Sequence, residues 1–516
     1  MISRAPAASR PPAVARPRPG RSILCWLALL AALLAPAEHA PGQAIDRPAD
    51  ERPELPEFEA PVEPEPLLPP VLPPAQPREQ LSAGSGVFVQ GYRIAGSTVF
   101  SQEELERAVA PWAGRAIRSE DLVAVSNVLT QLYVDRGYVT SGAVVPDQEF
   151  EDGIVEVRII EGSLGEIRIR GNEQFRHWYL RNRIAPGATT PLNIEKLGRQ
   201  LQILQQDPRI QQVAVRLAPG DRLGEAVLYV EVEETSRFRA DLRFSNYEPP
   251  SIGALAGQVE GRVANLAGWG DTLRGEFTIS DGLKRYRGVY EIPFTPWGTL
   301  LSLDARYATS EVVESNFDEI DIESEFQSYQ IGVHQPLYTS PRTRVQVGVI
   351  GDWRRSETEL LGSSYSFPGS GAQDGEATAS VLRFVFDWLQ RDQNQVIAAR
   401  SQISWGIDAL GATINRGDEP DGRFVAWLLQ LQWARRFGAW GVEAIFRTDL
   451  QLANDPLLTM EQIAVGGYST VRGYRQNQSV QDQGVVASLE VRVPIWRQSE
   501  RWGAVRLAPF FDYGRT

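Results

Sequence analysis

The sequence predicts a mixed fold in which two successive α/β modules precede an antiparallel transmembrane β-barrel, with about 13 of its strands present. Three observations carry that expectation. Residues 86–234 run twice through one order of strand, two helices and two strands. After Thr235 the apolar positions switch to a period of two, in runs of about ten residues, the length a tilted strand needs to cross an outer membrane. The links between those runs alternate between short and long.

The chain opens with a secretory signal over residues 1–44. Arginines run up to Arg21, an apolar core spans 23–34, and Gly42-Gln43-Ala44 offers a small-residue cleavage site. The apolar run is too short to span a bilayer, and no later run is long enough to make a helical span. Cleavage removes five arginines and one glutamate, which moves the formal net charge from −13 to −17. That balance excludes a nucleic-acid binder, because phosphate contact needs a basic face. Cleavage also removes Cys25, the only cysteine, so neither disulfides nor cysteine-ligated metals are expected. Residues 45–85 are rich in proline and glutamate (Glu63-Pro64-Glu65-Pro66), which forbids a helix and predicts an extended, solvated linker.

The first module, 86–162, begins with a strand at 88–95. Ser101-Gln102-Glu103-Glu104 then has the form of a capping box opening a helix. A second helix at 119–136 carries Leu122, Val125, Leu129 and Leu132 at helical spacing and ends at Gly137-Tyr138. Strands at 139–145 and 154–160 follow. The second module, 163–234, repeats the order with strands at 164–170, 210–217 and 226–232 around helices at 175–184 and 191–206. Gly137-Tyr138-Val139-Thr140-Ser141, Val145-Pro146-Asp147-Gln148, Gly153 and Ile160-Glu161-Gly162 together resemble the first polypeptide-transport-associated (POTRA) domain of two-partner secretion transporters, the haemolysin secretion/activation family. The resemblance makes 86–162 and 163–234 a POTRA pair.

In the barrel, 235–516, Leu273, Gly275, Phe277 and Ile279 alternate with Arg274, Glu276, Thr278 and Ser280. Val485, Ala487, Leu489, Val491 and Val493 alternate with Ser488, Glu490 and Arg492 in the same way. Trp269, Trp297, Trp496 and Trp502 all lie at short links and suit an aromatic girdle. The family resembled closes its barrel at about sixteen strands, so about three are expected to be missing and the barrel to be truncated at its C-terminus.

Two segments carry the mechanism. The connection between the eleventh and twelfth strands, loop 6 of the barrel, holds Val471-Arg472-Gly473-Tyr474, and the last strand holds Phe510-Phe511-Asp512-Tyr513-Gly514. A long loop inside a water-filled lumen needs an anchor, and a guanidinium–carboxylate pair supplies directional, charge-assisted bonds. Asp512 alternates with Phe511 and Tyr513, so it faces the lumen, and Gly473 permits a tight backbone at the loop tip. Val471, Arg472, Gly473 and Tyr474 resemble the family's loop motif, and Phe510, Asp512 and Gly514 its strand motif.

No catalytic residue, cofactor or metal site is expected, since His39, His177 and His334 are isolated and no nucleophile or phosphate-loop motif occurs. The resemblance implies an outer-membrane translocation pore, monomeric and bedded in outer-membrane lipid, with its POTRA domains in the periplasm. It also implies a large exoprotein partner, captured unfolded in the periplasm and secreted, with assistance to its folding or activation. Many relatives plug the pore with an N-terminal helix, for which 45–85 are too rich in proline. The alternatives are an assembly insertase of the same superfamily and a passive porin or receptor.

Overall fold

The computed structural model describes residues 46–52, 58, 86–148, 152–315, 321–438, 440–499 and 503–516, so the expected signal peptide and most of the linker lie outside the described residues.

The first module contains β1 (Val87–Val89), β2 (Gly91–Ala95), α1 (Gln102–Val109), β3 (Arg115–Ile117), α2 (Ser119–Asp135), β4 (Gly142–Val144) and β5 (Ile154–Ile160). The expected first strand breaks at Gln90, whose amide bonds Gly153 instead of the ladder. β1 pairs with β3, a short strand without a sequence signal. The expected strand at 139–145 shrinks to β4 because residues 138–141 turn, with the Ser141 amide bonding the Tyr138 carbonyl. The capping box forms: the Ser101 side chain accepts the Glu104 amide and Glu104 reaches back to Ser101. β2 and β5 are parallel, β4 joins β5 antiparallel, and Val125, Leu129 and Tyr133 of α2 cover the sheet.

The motif residues hold this module together. Glu161 accepts the amide of Thr98 at 2.6 Å, the amide of Val99 at 3.2 Å and the buried Tyr133 hydroxyl at 2.9 Å. Gln148 closes both backbone groups of Glu156 with its amide, as a further strand would. Ser141 accepts the Gly162 amide, and a Cβ on Gly162 would collide with the Thr140 backbone.

The second module repeats the plan with β6 (Ser163–Arg170), α3 (His177–Ile184), α4 (Ile194–Gln205), β7 (Ile210–Pro219) and β8 (Glu225–Glu234), in sheet order β6-β8-β7. Buried Asn193 joins the modules. Its Oδ1 caps α4 by accepting the amides of Glu195 and Lys196, while its Nδ2 donates to the Arg136 carbonyl beside Gly137.

The remaining strands form one antiparallel sheet. They are β9 (Phe238–Ser245), β10 (Ala256–Ala264), β11 (Thr272–Ile279), β12 (Leu283–Pro293), β13 (Leu300–Glu311), β14 (Ile322–Thr339), β15 (Thr343–Leu360), the short β16 (Ser363–Ser364), β17 (Glu376–Arg391), β18 (Gln395–Gly406), β19 (Val425–Phe437) and β20 (Val442–Ala453). Loop 6 carries β21 (Ile463–Val465) and β22 (Ser479–Gln481), and β23 (Gly484–Ser499), β24 (Gly503–Leu507) and β25 (Phe510–Arg515) follow. The sheet path runs in chain order from β9 to β23, with β16 pairing only β15 and β21 and β22 forming a separate hairpin, and β24 and β25 both pair with β23 as successive parts of one strand. Among the described residues β9 and β25 have a partner on one side only.

β14 and β15 are 18 residues long, well beyond the expected ten. Their far ends carry Glu323 opposite Glu359 and Glu325 opposite Glu357, so these ends stand in water past the apolar band.

The short links face the modules. The Arg176 amide and Nε bond the carbonyls of Gly268 and Ala267 in the β10–β11 turn, and Gln206 reaches the Pro341 carbonyl. Trp269 therefore packs on Trp178, with ring centroids 6.3 Å apart, and seats the second module on the barrel. Buried Asp271 holds that turn by accepting the amides of Ala267 and Trp269 and the Tyr290 hydroxyl. Of the other expected girdle residues, Trp297 and Trp496 are exposed, and Trp502 lies outside the described residues.

Burial pushes the Tyr133 phenol above its ordinary value. Burial also pushes the Glu161 carboxyl up, but hydrogen bonds from Thr98, Tyr133 and Val99 outweigh it and hold the carboxyl below the usual range. A depressed carboxyl stabilises the fold above its unfolded value, near 4.5, and that contribution is lost as pH falls through the folded value. Amide protection at Thr98 and Val99, followed by hydrogen exchange on the whole protein, should therefore fall on acidification. Glu161→Gln should lower protection at neutral pH and flatten this acid dependence.

Candidate functional site

Loop 6 folds back into the barrel instead of standing above it. Its root crosses the end of the lumen away from the modules. There Leu457, Leu458 and Met460 pack with Ile252, Leu283, Phe326, Ala379 and Phe424 into a dry cluster. This part of the lumen is a packed core, where the sequence led to a water-filled space.

Past the root, the β21–β22 hairpin presents Arg472 to the wall formed by β23 and β25. Arg472 Nε donates to Asp512 Oδ2 at 2.8 Å and Nη2 to Oδ1 at 2.7 Å, a two-pronged pair, and the Arg472 amide adds a third bond to Oδ2 at 3.0 Å. The guanidinium lies 3.6 Å above the Phe510 ring. The Asp512 side chain is 3 % exposed and that of Arg472 is 24 % exposed.

The other motif residues shape the fit. A Cβ on Gly514 would stand 2.5 Å from Val465 Cγ1 and 2.7 Å from Val471 Cγ2, so only glycine lets the loop lie on β25. Gly473, at φ +90°, turns the chain where a side chain would strain it. Val471 is buried against the wall, whereas Tyr474 is exposed. The structure thus brings Val471, Arg472, Phe510, Asp512 and Gly514 together and leaves the Tyr474 side chain at the margin.

Sequence reasoning missed two parts of this site. Arg472 Nη1 also donates to Glu490 at 2.7 Å and Nη2 to Ser488 at 3.1 Å; both lie on inward positions of β23, which the alternation already marks. The larger omission is a second anchor at the root. Glu461 accepts both prongs of Arg383, at 2.7 and 2.9 Å, while Arg383 and Arg354 share Asp352 at 2.8 Å each. Arg354 also donates to the Met460 carbonyl. All four side chains are nearly inaccessible to water. Their only sequence signal is that Asp352, Arg354 and Arg383 fall on the inward face of β15 and β17.

The tip has further contacts. Tyr468 stacks on Tyr247 with centroids 4.1 Å apart, and Arg475 pairs with Glu314 at 2.8 Å. Residues 46–52, the visible start of the expected linker, also lie in the lumen, beside the hairpin. The segment is a 3₁₀ turn at Pro48–Asp50 with its charged ends on opposite walls.

A β-barrel with an inward loop anchored by an arginine–aspartate pair, carried on two α/β modules at its short-link end, defines an outer-membrane transporter with POTRA domains in the periplasm. Residues 224–516 match the family model for the haemolysin secretion/activation protein ShlB/FhaC/HecB, and residues 87–162 match the ShlB-type POTRA domain. The chain belongs to that family, whose members are two-partner secretion transporters. It is 21 % identical over 449 residues to the heme/hemopexin transporter protein HuxB of Haemophilus influenzae, covering 80 % of this chain and 72 % of the relative. It is 23 % identical over 428 residues to the outer membrane transporter CdiB of Escherichia coli, covering 77 % and 68 %. The solved structure of CdiB from Escherichia coli shares the fold, with a TM-score of 0.62 at 20 % identity over 86 % of this chain and 83 % of that one.

Arg472→Ala strips the nearly buried Asp512 carboxylate of its partner, a change that costs at most about 3–5 kcal/mol, whereas Asp512→Ala leaves Arg472 paired with Glu490 and should cost less. Each should lower the temperature at which the folded barrel loses its fast gel mobility. The double variant should lose less than the sum of the two, because the partners act as one unit. Glu461→Gln should lower that temperature at least as much as Arg472→Ala, since it leaves Arg383 and Arg354 in a drier site. Unfolding followed by heat-modifiability on gels checks all four.

Proposed function

We propose that this protein exports a large partner exoprotein across the outer membrane in two-partner secretion. The POTRA pair receives the unfolded chain in the periplasm and hands it to the lumen. The barrel, monomeric and seated in outer-membrane lipid, passes it outward, and the exoprotein folds as it emerges. The observation that carries this reading is loop 6, held in the lumen by Arg472–Asp512, in a barrel whose short links seat a two-module arm. A passive porin has no use for either part, and the family match favours export over the insertase alternative.

In this reading the Arg472–Asp512 contact sets the resting position of the loop 6 tip, and the tip moves when the exoprotein passes. The root is welded by dry charges and apolar packing and stays in place. The tip contact is partly hydrated, so exchanging it for water costs less.

Cells expressing the transporter with its secreted partner should release the partner into the medium. Arg472→Ala and Asp512→Ala should each reduce that release at least tenfold at equal levels of folded barrel. Release unchanged in both variants, or release without the transporter, would sink the reading.

A further inference from the structure

Residues 46–52 are held by wall side chains in a way that serves a polypeptide in general as well as this one. Two of the bonds go to backbone carbonyls: Arg354 Nη1 donates to the Asp46 carbonyl at 3.0 Å, and Gln430 Nε2 donates to the Ala49 carbonyl at 3.1 Å. Both donors are buried on the lumen wall. Gln430 has no exposed surface, and its Oε1 has no hydrogen-bond partner among the described residues. An inward amide with one acceptor open is what a passing chain with a free N–H would complete.

The charges add selectivity. Asp46 reaches Arg285 and Arg306 at 3.7 Å each, and Glu51 reaches Arg287 at 3.5 Å and also pairs with Arg306. The wall's own carboxylates paired with these arginines are Asp304, shared by Arg287 and Arg306, and Glu248 on Arg285, and Glu276 stands across the ladder from Arg287. Losing the segment takes two ion-paired carboxylates, Asp46 and Glu51, away from three guanidiniums in a confined space. On the opposite wall Asp449 pairs with Arg52. The site therefore asks for two acidic groups on one side and one basic group on the other.

We propose that Gln430, Arg354 and the Arg285–Arg287–Arg306 wall form a mid-lumen binding site for an acidic polypeptide segment, occupied here by the chain's own residues 46–52. The site selects acidic stretches of the exported chain, and so the proposal rests on the export reading. Backbone bonds hold any sequence, and the arginine wall favours carboxylates. Residues 46–52 hold the site until such a stretch displaces them.

The test uses a fluorescent peptide with the sequence of residues 46–52, Asp-Arg-Pro-Ala-Asp-Glu-Arg, added to purified full-length transporter in detergent. Two variants free the site: deletion of residues 46–52, and Asp46→Asn with Glu51→Gln in an otherwise intact chain. Both should bind the peptide at least tenfold more tightly than the unaltered protein. A peptide with Asn and Gln in place of its first Asp and its Glu should bind at least tenfold more weakly than the acidic one. Gln430→Leu in either background should weaken both peptides alike. Equal binding of the acidic and the substituted peptide, or no binding to either folded variant, overturns the proposal. Secretion assayed in the same strains separates the two readings. Export that persists without peptide binding overturns the site and spares the export reading, whereas acid-selective binding without export supports the site and sinks the export reading.

Discussion

A carboxylate or guanidinium on the inner wall of a membrane barrel has no route to bulk water except along the lumen, so it must be paired from within. That constraint organises this protein. The inner wall carries Asp352, Arg354 and Arg383 in one dry patch and Glu490 with Asp512 in another, and loop 6 answers both. Glu461 enters the first patch and Arg472 the second. Two anchors of opposite sign at the root and tip of one loop fix its path through the lumen. The two anchors differ in hydration: the root pair is dry, whereas the Arg472 side chain at the tip is partly exposed.

The modules are tied to this frame by the same economy of backbone pairing. The β10–β11 turn is held internally by Asp271 and offers its carbonyls outward to Arg176, so the second module meets the barrel through a rigid turn. Asn193 ties the first module to the second by capping one helix and closing the end of another. The periplasmic arm is thus continuous in hydrogen bonds from the first sheet to the barrel rim. The arm therefore meets the barrel mouth at a defined place.

The repeat of modules, the alternation of strands and the loop-6 motif could all be read from the sequence because each has a local signature: a period, a cap or a short fixed string. Arg472 and Asp512 were legible for that reason, although 40 residues separate them. The root anchor was not, since Glu461 and Arg383 lie 78 residues apart and neither sits in a motif. The linker was misleading in a different way. Its prolines argue against a long helix, but composition says nothing of where Asp46 and Glu51 go. Their destination depends on arginines of β12 and β13 that the strand ladder brings together, with Arg287 directly opposite Arg306. The truncation of the outer ladder strands β1 and β4 was likewise set by contacts, namely the Gln90–Gly153 bond and the turn at Ser141.

The central claim is that loop 6 rests inside the lumen against β25, and one cross-link addresses it. A Cβ on Gly514 would lie 3.9 Å from Val465 Cβ, within the span of a disulfide, and the only native cysteine is Cys25 at the start of the chain. Val465→Cys removes the Cγ1 contact and Val471→Ala the Cγ2 contact, so in a Val471→Ala background Val465→Cys with Gly514→Cys should oxidise readily in outer-membrane preparations, block release of the partner, and recover release on reduction. Two free thiols that fail to cross-link in a folded barrel, or a cross-linked transporter that secretes at the normal rate, would contradict the account.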